Sequence, residues 1–455
     1  MIPKLPARAL ARRLRRSAVL ALALACAPPL VARARAEAPP ADDARLAEPV
    51  DRATIERAVL ARHPSLVAAT HRERALAASA RAEGRLPPPE LMTQIQQVPL
   101  ARPYRLDQAS MAMFGVAQDI PAPGMLDLQA EAMDLEARAA GAMASAQARM
   151  LVREVGHAFA QYAEATARQR VRRETLALLG RMSEVARARY ATGAPLADFT
   201  RAELEDVRAQ AEIAREQGMA QEARAMLNGL MARPIDAPLG PPQQGEPQTV
   251  VLEAAAVAER AAQRHPEVLA AELMVRAAER AARAAEREAS VPMFKVAVGG
   301  FLPVGEMPAG WGASFGTTLP WLWGRAVGRS ESAERRVRVE QAGADAVRVR
   351  VRAEVARAFA ALGGAERRWL LLGDLARPAA RRAIETSEAG YAAGGSDLLG
   401  WLDAVRSALE VELDLAMARA DLERALVDLD WAAGAPVARV GLESPFPTNP
   451  TEKQP

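Results

Sequence analysis

A stretch of 65 residues without proline, Met125–Arg189, limits the fold more than any other feature of the sequence. Alanine, glutamate, arginine, leucine, methionine and glutamine dominate it, and these residues favour helix. A continuous helix of that length would extend over roughly 100 Å, at about 1.5 Å per residue. Helices of ordinary globular domains average only about 11–12 residues. The sequence therefore predicts a rod or a tube.

A strand is predicted directly before this helix. Residues 111–120 are rich in Phe, Val, Ile and Met, and Pro121 and Pro123 then remove backbone donors and end the ladder. The last predicted strand, Trp311–Leu319, alternates large apolar residues with Gly, Ser and Thr. The remaining predicted strands are 91–98 and 293–300.

The sequence contains one unit of about two hundred residues twice. Four pairs of matching segments are separated by 202, 201, 201 and 200 positions. They are His63-Pro64 with His265-Pro266, Phe114-Gly115 with Phe315-Gly316, Tyr190–Gly193 with Tyr391–Gly394, and Glu154-Val155 with Glu354-Val355. Chance matches would scatter in their spacing, so the steady offset indicates a duplication.

The duplication sets the predicted domain organisation. Each repeat is expected to hold two strands, one long helix and shorter helices. The predicted segments are a signal peptide at 1–36, a loose leader at 37–53, repeat 1 at 54–232, a linker at 233–250, repeat 2 at 251–434 and a disordered tail at 435–455. The predicted helices are 54–85, 125–189, 196–231, 252–289, 325–391 (weakened at Gly363-Gly364) and 396–432. Leu151, Val155, Phe159 and Tyr162 form one apolar stripe of the long helix, which predicts sideways packing.

The first 36 residues have the pattern of an export signal. They carry eight Lys or Arg and no Asp or Glu, with an apolar core at Ser17–Val31 and an Ala-x-Ala cleavage site at Ala34–Ala36. Cys26, the only cysteine, follows a loose lipoprotein box, so it is either lipidated or removed with the signal. The rest of the chain has 51 basic and 56 acidic residues. That balance argues against a nucleic-acid-binding surface.

The predicted strands suit a bilayer in their length of eight to ten residues, with apolar side chains on one face and small or polar ones on the other. Trp321 and Trp323 follow the last strand and are candidates for an aromatic belt at the membrane interface. Four strands cannot close a barrel, and an open edge is not tolerated in lipid. A membrane sheet would therefore need several chains. The alternative is a small soluble sheet packed on helices.

Taken together, these features resemble the TolC family of outer-membrane efflux channels over residues 54–434. The motifs are the duplicated His-Pro helix openings, the duplicated Tyr-x-x-Gly turns and the segment Gln118–Gly124, which is similar to the Gln-Glu-x-Pro-x-Pro-Gly stretch of the cation-efflux, CzcC-like branch. The resemblance implies a mainly α fold with a four-stranded β contribution. Three protomers would build an α-helical tunnel across the periplasm and a shared twelve-stranded barrel in the outer membrane.

The resemblance also implies a gate at the periplasmic tip, close to the Tyr-x-x-Gly turns. Its candidate residues are Asp198, Asp397, Asp403, Tyr190 and Tyr391. Asp403 matches a family gate acid by its distance from Tyr391, whereas Gly400 stands where another acid is usual. Each aspartate is equally explained by the favourable position of an acid at a helix start. The two tyrosines either hold the gate by hydrogen bonds or pack helix ends.

The sequence predicts no catalytic residue, cofactor or metal site. The four histidines are too few and too scattered for a metal or catalytic constellation. A group of methionines near the strands could bind soft ions such as Cu(I), but methionine is more often a filler of apolar gaps. Its members are Met92, Met111, Met113, Met125 and Met293.

The predicted function is that of a passive trimeric exit duct rather than an enzyme. The resemblance implies a periplasmic adaptor protein and an inner-membrane RND-type or ABC transporter as partners, beside outer-membrane lipid. Heavy-metal cations are the first substrate class, other small toxic molecules the second, and protein secretion of type I is an alternative. A periplasmic coiled-coil adaptor or scaffold is the alternative of another class.

Overall fold

The computed structural model describes residues 45–96, 111–191, 196–303 and 309–443. The predicted export signal with Cys26 lies outside these residues. The helices are α1 Arg52–Arg62, α2 Pro64–Glu83, α3 Met125–Tyr190, α4 Leu196–Leu230, α5 Ala254–Arg264, α6 Pro266–Ser290, α7 Arg325–Leu370, α8 Arg377–Ala392 and α9 Leu398–Ala432. The strands are β1 Glu90–Gln96, β2 Met111–Ile120, β3 Gln248–Thr249, β4 Phe294–Pro303, β5 Gly310–Thr317 and β6 Val440–Gly441.

The long helix α3 organises the rest of the molecule. It has 66 residues and runs without a break, which confirms the predicted rod. Helices α4, α6, α2 and α9 all pack along it. Its predicted apolar stripe is buried against α1 and the end of α4, with every side chain at most 7% exposed. The stripe consists of Leu151, Val155, Phe159 and Tyr162.

The two His-Pro motifs are helix caps. In each repeat the chain breaks between two helices at the histidine, and the proline occupies the first turn of the second helix. The His63 Nδ1 atom accepts from the Ser65 N–H at 3.3 Å, and the His265 Nδ1 atom accepts from the Glu267 N–H at 3.2 Å. Burial lowers the pKa of His265, so its ring stays neutral and its Nδ1 atom remains an acceptor at neutral pH. Each of the predicted helices 54–85 and 252–289 is therefore two helices.

The predicted weak point of the second long helix lies elsewhere than expected. The helix α7 passes through Gly363 and Gly364 as a regular α-helix. A π-helical turn follows at Leu371–Ala376, where the Arg377 N–H bonds to the Leu372 carbonyl. Pro378 explains the position, because a proline lacks the N–H and its ring presses on the carbonyl four residues earlier. The prediction based on glycine was wrong because proline perturbs a helix more strongly.

The predicted loose leader and disordered tail are partly ordered. In the leader, Leu46 and Val50 are 3% and 2% exposed and belong to the core of repeat 1. In the tail, β6 pairs with β3 of the predicted linker, and the Val437 N–H donates to Asp430 Oδ1 at 2.8 Å. Composition alone suggested disorder, but both segments obtain backbone partners from distant parts of the chain. Residues 444–455 lie outside the described part.

The four longer strands form one antiparallel sheet in the order β1-β2-β4-β5. The hairpin of repeat 1 thus pairs with the hairpin of repeat 2 through β2 and β4. Among the described residues, β1 and β5 each have one neighbouring strand, so the sheet has two open edges. The mainly α fold with a four-stranded β contribution is confirmed.

Candidate functional site

One face of the four-stranded sheet is apolar and exposed. The register aligns Leu91, Val116 and Val298 across three strands, and Phe114 with Trp311 across the intervening Gly300. Eight large hydrophobic side chains, each at least 40% exposed, lie on this face: Leu91, Ile95, Phe114, Val116, Ile120, Val298, Trp311 and Phe315. Water does not favour so large an exposed apolar surface, so this face is built for an apolar environment or a partner. We call it the apolar face.

The opposite face is small and polar, and we call it the polar face. Its central row contains Gly115, Gly299 and Gly312, aligned across three strands. Gly115 and Gly299 lie so close that a Cβ atom on Gly299 would stand 2.8 Å from the Phe114 carbonyl oxygen. Glutamine, serine and alanine occupy much of the remainder, and the large apolar side chains of this face are Met92, Met111, Met113 and Phe301. A sheet with one such face and one apolar face can separate water from lipid.

Both tryptophans predicted for the membrane interface are exposed. Trp321 is 53% exposed and Trp323 is 92% exposed. They lie between β5 and α7, and Gly324, the N-cap residue of α7, has a left-handed φ of +68°. The segment thus places both rings at the level where the sheet passes into the helices, which suits the predicted interfacial role. No helix in the described part of the chain is both long and apolar enough to cross a bilayer.

The two predicted gate tyrosines differ in their surroundings. Tyr391, at the end of α8, is 1% exposed and packs on Trp401 of α9 with ring centroids 5.5 Å apart. Leu179 and Met182 of α3 belong to the same buried cluster, which we call the tip cluster. Tyr190, the equivalent residue of repeat 1, is 48% exposed. Tyr391 therefore packs helix ends, and Tyr190 is the tyrosine available for a contact outside this chain.

The predicted gate acids are also not equivalent. Asp397 is the N-cap of α9, where its Oδ1 atom accepts from the Gly400 N–H at 2.9 Å. Asp403, six residues further along the chain, is exposed. Asp198 lies in the first turn of α4, but its side chain is outside the described residues. Asp397 thus has a local structural role, and Asp403 is an exposed aspartate within the same helix.

The structure reveals an ion pair at the tip that sequence reasoning missed. Arg406 of α9 contacts Glu205 of α4, with its Nη2 atom 2.5 Å from Oε1. Glu205 also accepts from Arg208 on its own helix at 2.9 Å. The first pair joins the α3–α4 hairpin to the α8–α9 hairpin, whereas the second stays within α4. Because the partners are 201 positions apart, no local pattern could have paired them.

A second contact between the repeats joins the middle of α3 to the end of α9. Asp428 of α9 accepts from the Arg153 Nε atom at 2.6 Å, and its Oδ1 atom lies 2.7 Å from His157 Nε2. The Arg153 guanidinium also stacks over the Trp431 ring at 4.4 Å. Burial opposes ionisation of Asp428, but the hydrogen bonds from His157 and Arg153 prevail and lower its pKa. These contacts fix the register between α3 and α9.

The described residues contain no group of three or more His, Cys, Asp or Glu side chains placed to hold a metal ion. Three methionines of the predicted group, Met92, Met111 and Met113, share the polar face. Met125 is buried at the start of α3. These four methionines are thus divided between the polar face and the interior, and Met293 lines the cavity at the end of the sheet.

Residues 257–435 match the family model of the outer membrane efflux protein. The chain has the fold of a membrane protein from Pseudomonas aeruginosa (23% identity, TM-score 0.72, covering 84% of this chain and 90% of that chain). It also has the fold of the CmeC outer membrane channel of Campylobacter jejuni (12% identity, TM-score 0.71, covering 85% of this chain and 86% of that chain). A third structure with this fold is the outer membrane protein VceC of Vibrio cholerae (19% identity, TM-score 0.69, covering 86% of this chain and 97% of that chain). No curated protein matches the chain in sequence.

Proposed function

Because its second repeat carries the outer membrane efflux protein domain and the chain has the fold of outer-membrane channels, we propose that this protein is the exit duct of a tripartite efflux pump. It conducts substrates passively from the periplasm to the exterior and performs no chemistry. The partner transporter supplies the energy. This chain supplies a lipid-facing barrel, a water-filled tunnel and a gate.

The two-faced sheet with open edges is the observation that carries the proposal. An apolar face of this size needs lipid, and the polar face then lines the lumen. Open edges are not tolerated in lipid, because unpaired N–H and C=O groups cost several kcal/mol each. If β5 of one protomer pairs with β1 of the next, three chains close a barrel of twelve strands. The long helices α3 and α7 then continue the wall as a tunnel through the periplasm.

The partners follow from this arrangement. A helical tunnel that ends in the periplasm needs an adaptor protein to connect it to an inner-membrane pump of the RND or ABC type. Heavy-metal cations are the first substrate class, because Gln118–Gly124 is similar to the cation-efflux branch. That segment also has a structural task, since the Gln118 side chain donates to the Pro87 carbonyl at 2.9 Å. Other small toxic molecules are the second class.

The test is fractionation of cells that express the protein, followed by cross-linking of the detergent extract without boiling. We expect a trimer in the outer-membrane fraction. A monomer that extracts into aqueous buffer would refute the shared barrel and support a periplasmic adaptor or scaffold. The substrate is tested separately, by comparing the sensitivity of a deletion strain to heavy-metal salts and to organic drugs. Greater sensitivity to drugs alone would contradict the cation assignment.

We further propose that the tip closes the duct at rest. Asp198, Asp403 and Tyr190 are the residues proposed to line the closed tip, with Asp397 and Tyr391 holding the helix ends. The Arg406–Glu205 pair holds the two hairpins together. A half-exposed ion pair stabilises the closed state by about 0.5 kcal/mol. The three pairs of a trimer together stabilise it by about 1.5 kcal/mol, which raises the ratio of closed to open channels roughly tenfold.

Arg406→Ala is therefore expected to raise the open probability of the channel in planar bilayers by roughly tenfold at low salt. Arg208→Ala is the matched control, because it removes a partner of the same carboxylate without separating the hairpins. High salt should reduce the difference between the variants, since it screens the pair. Equal open probabilities for wild type and Arg406→Ala would contradict the role of the pair.

A further inference from the structure

All charged side chains of the described strands lie together at one end of the polar face. They are Glu90 at the start of β1, Asp119 at the end of β2 and Lys295 at the start of β4. The Lys295 Nζ atom lies 2.8 Å from Glu90 Oε2 and 3.4 Å from Asp119 Oδ1. The Lys295 side chain crosses β2 at Ala117, the residue opposite Glu90 in the β1–β2 register, and so reaches Glu90. One ammonium group thus bridges two carboxylates.

The charged group is accessible to water and solutes. The three side chains are 45–59% exposed, and a cavity of about 790 Å³ opens beside Asp119 and Lys295. The cavity lies where the sheet meets the helices, between Leu86, Met125 and Phe294. This end of the sheet is therefore the end through which a substrate from the helical tunnel would enter the barrel.

We infer that Glu90, Asp119 and Lys295 form a cation-selecting charge band at the entrance of the barrel. The inference rests on the proposed trimeric duct. The strands of each protomer contribute two negative charges and one positive charge, so the strand charges of the closed barrel add up to −3 at this level, and Glu83 and Arg85 beside the cavity cancel each other. Lys295 limits the selectivity, since it neutralises one of the two carboxylates. The carboxylates of Glu90 and Asp119 attract cations into the lumen. The Lys295 ammonium between them weakens the negative potential, so that cations pass through and are not held there.

The test measures the ratio of potassium to chloride permeability for single channels in planar bilayers, under a KCl gradient at low ionic strength. Lys295→Gln is expected to raise the ratio about two- to fivefold, because charges in a wide aqueous pore interact through water with energies near 1 kcal/mol. The double variant E90Q/D119N is expected to lower it by a similar factor. Lys295→Arg keeps the charge and should leave the ratio unchanged.

Raising the salt to about 1 M shortens the Debye length to about 3 Å and should abolish the differences among the variants. Unchanged ratios in both Lys295→Gln and the double variant, with channels formed normally, would overturn the charge band and leave the duct intact. A shift of both variants in the same direction would also overturn it. Failure of the wild-type protein to form trimers or channels would instead contradict the proposed function.

Discussion

Replacement of Gly299 by valine is expected to remove the folded trimer from the outer membrane almost completely. Gly299 faces Gly115 in the β2–β4 pair that joins the two repeats. A Cβ atom on Gly299 would lie 2.8 Å from the Phe114 carbonyl oxygen and 3.0 Å from the Gly115 Cα atom. Both neighbours are backbone atoms, so no flexible side chain can move aside. The strands must separate and lose their hydrogen bonds.

The expected cost is about 1–3 kcal/mol per protomer, the usual range for overpacking. Because every trimer contains three copies, the yield of trimer on an unboiled gel should fall by more than tenfold. Gly316→Val is the control, since Gly316 lies on the same face and a Cβ atom there has no atom within 4 Å. Equal yields for the two variants would show that the β2–β4 pair does not govern assembly.

Glu216→Ala is expected to destabilise the helical body by about 3–5 kcal/mol, the cost of breaking a buried ion pair. Glu216 of α4 is fully buried. Its Oε1 atom lies 3.1 Å from Arg168 Nε and 3.3 Å from Arg172 Nε on α3, and 3.6 Å from Arg215. Arg168 and Arg172 are only 15% and 12% exposed. Alanine would leave both guanidinium groups buried without this carboxylate.

The comparison variant is Glu212→Ala, one helical turn earlier. Glu212 contacts Arg172 and Arg215 at 3.2 Å and 3.1 Å, but it is 42% exposed. Exposed pairs contribute about 0–1 kcal/mol, so this variant should be nearly neutral. Hydrogen exchange of the α4 amides in the detergent-solubilised protein reports the local opening free energy. Similar protection factors for both variants would refute the special role of the buried carboxylate.

Much of the fold is encoded in local patterns. The absence of proline from Met125 to Arg189 predicted α3, and the alternation at Trp311–Leu319 predicted both a strand and its two faces. The aligned register then placed the most exposed apolar side chains of all four strands, Leu91, Phe114, Val298 and Trp311 among them, on one face. These predictions succeeded because helix propensity and the period of two depend on neighbouring residues only.

The sequence could not separate gate residues from structural ones. It named Asp397 as an extra candidate beside the repeated turn and Tyr391 as part of that turn, and in the structure Asp397 caps a helix and Tyr391 makes a buried ring contact. Their part in a gate stays a prediction. The expected weakening of the helix at Gly363-Gly364 was wrong, since the π turn lies beside Pro378. The domain boundaries, the fate of Cys26 and the role of Asp198 stay predictions.

The sequence by itself determined the duplication, the long helices and the two faces of the strands, because each follows from the spacing of residues along the chain. Only the tertiary structure decided which charges meet. Arg406 with Glu205, Glu216 with Arg168, and Lys295 with Glu90 are separated by 201, 48 and 205 positions. Such pairs depend on the register between elements, since a slip of one residue turns a helical side chain by about 100° and moves a strand side chain to the other face.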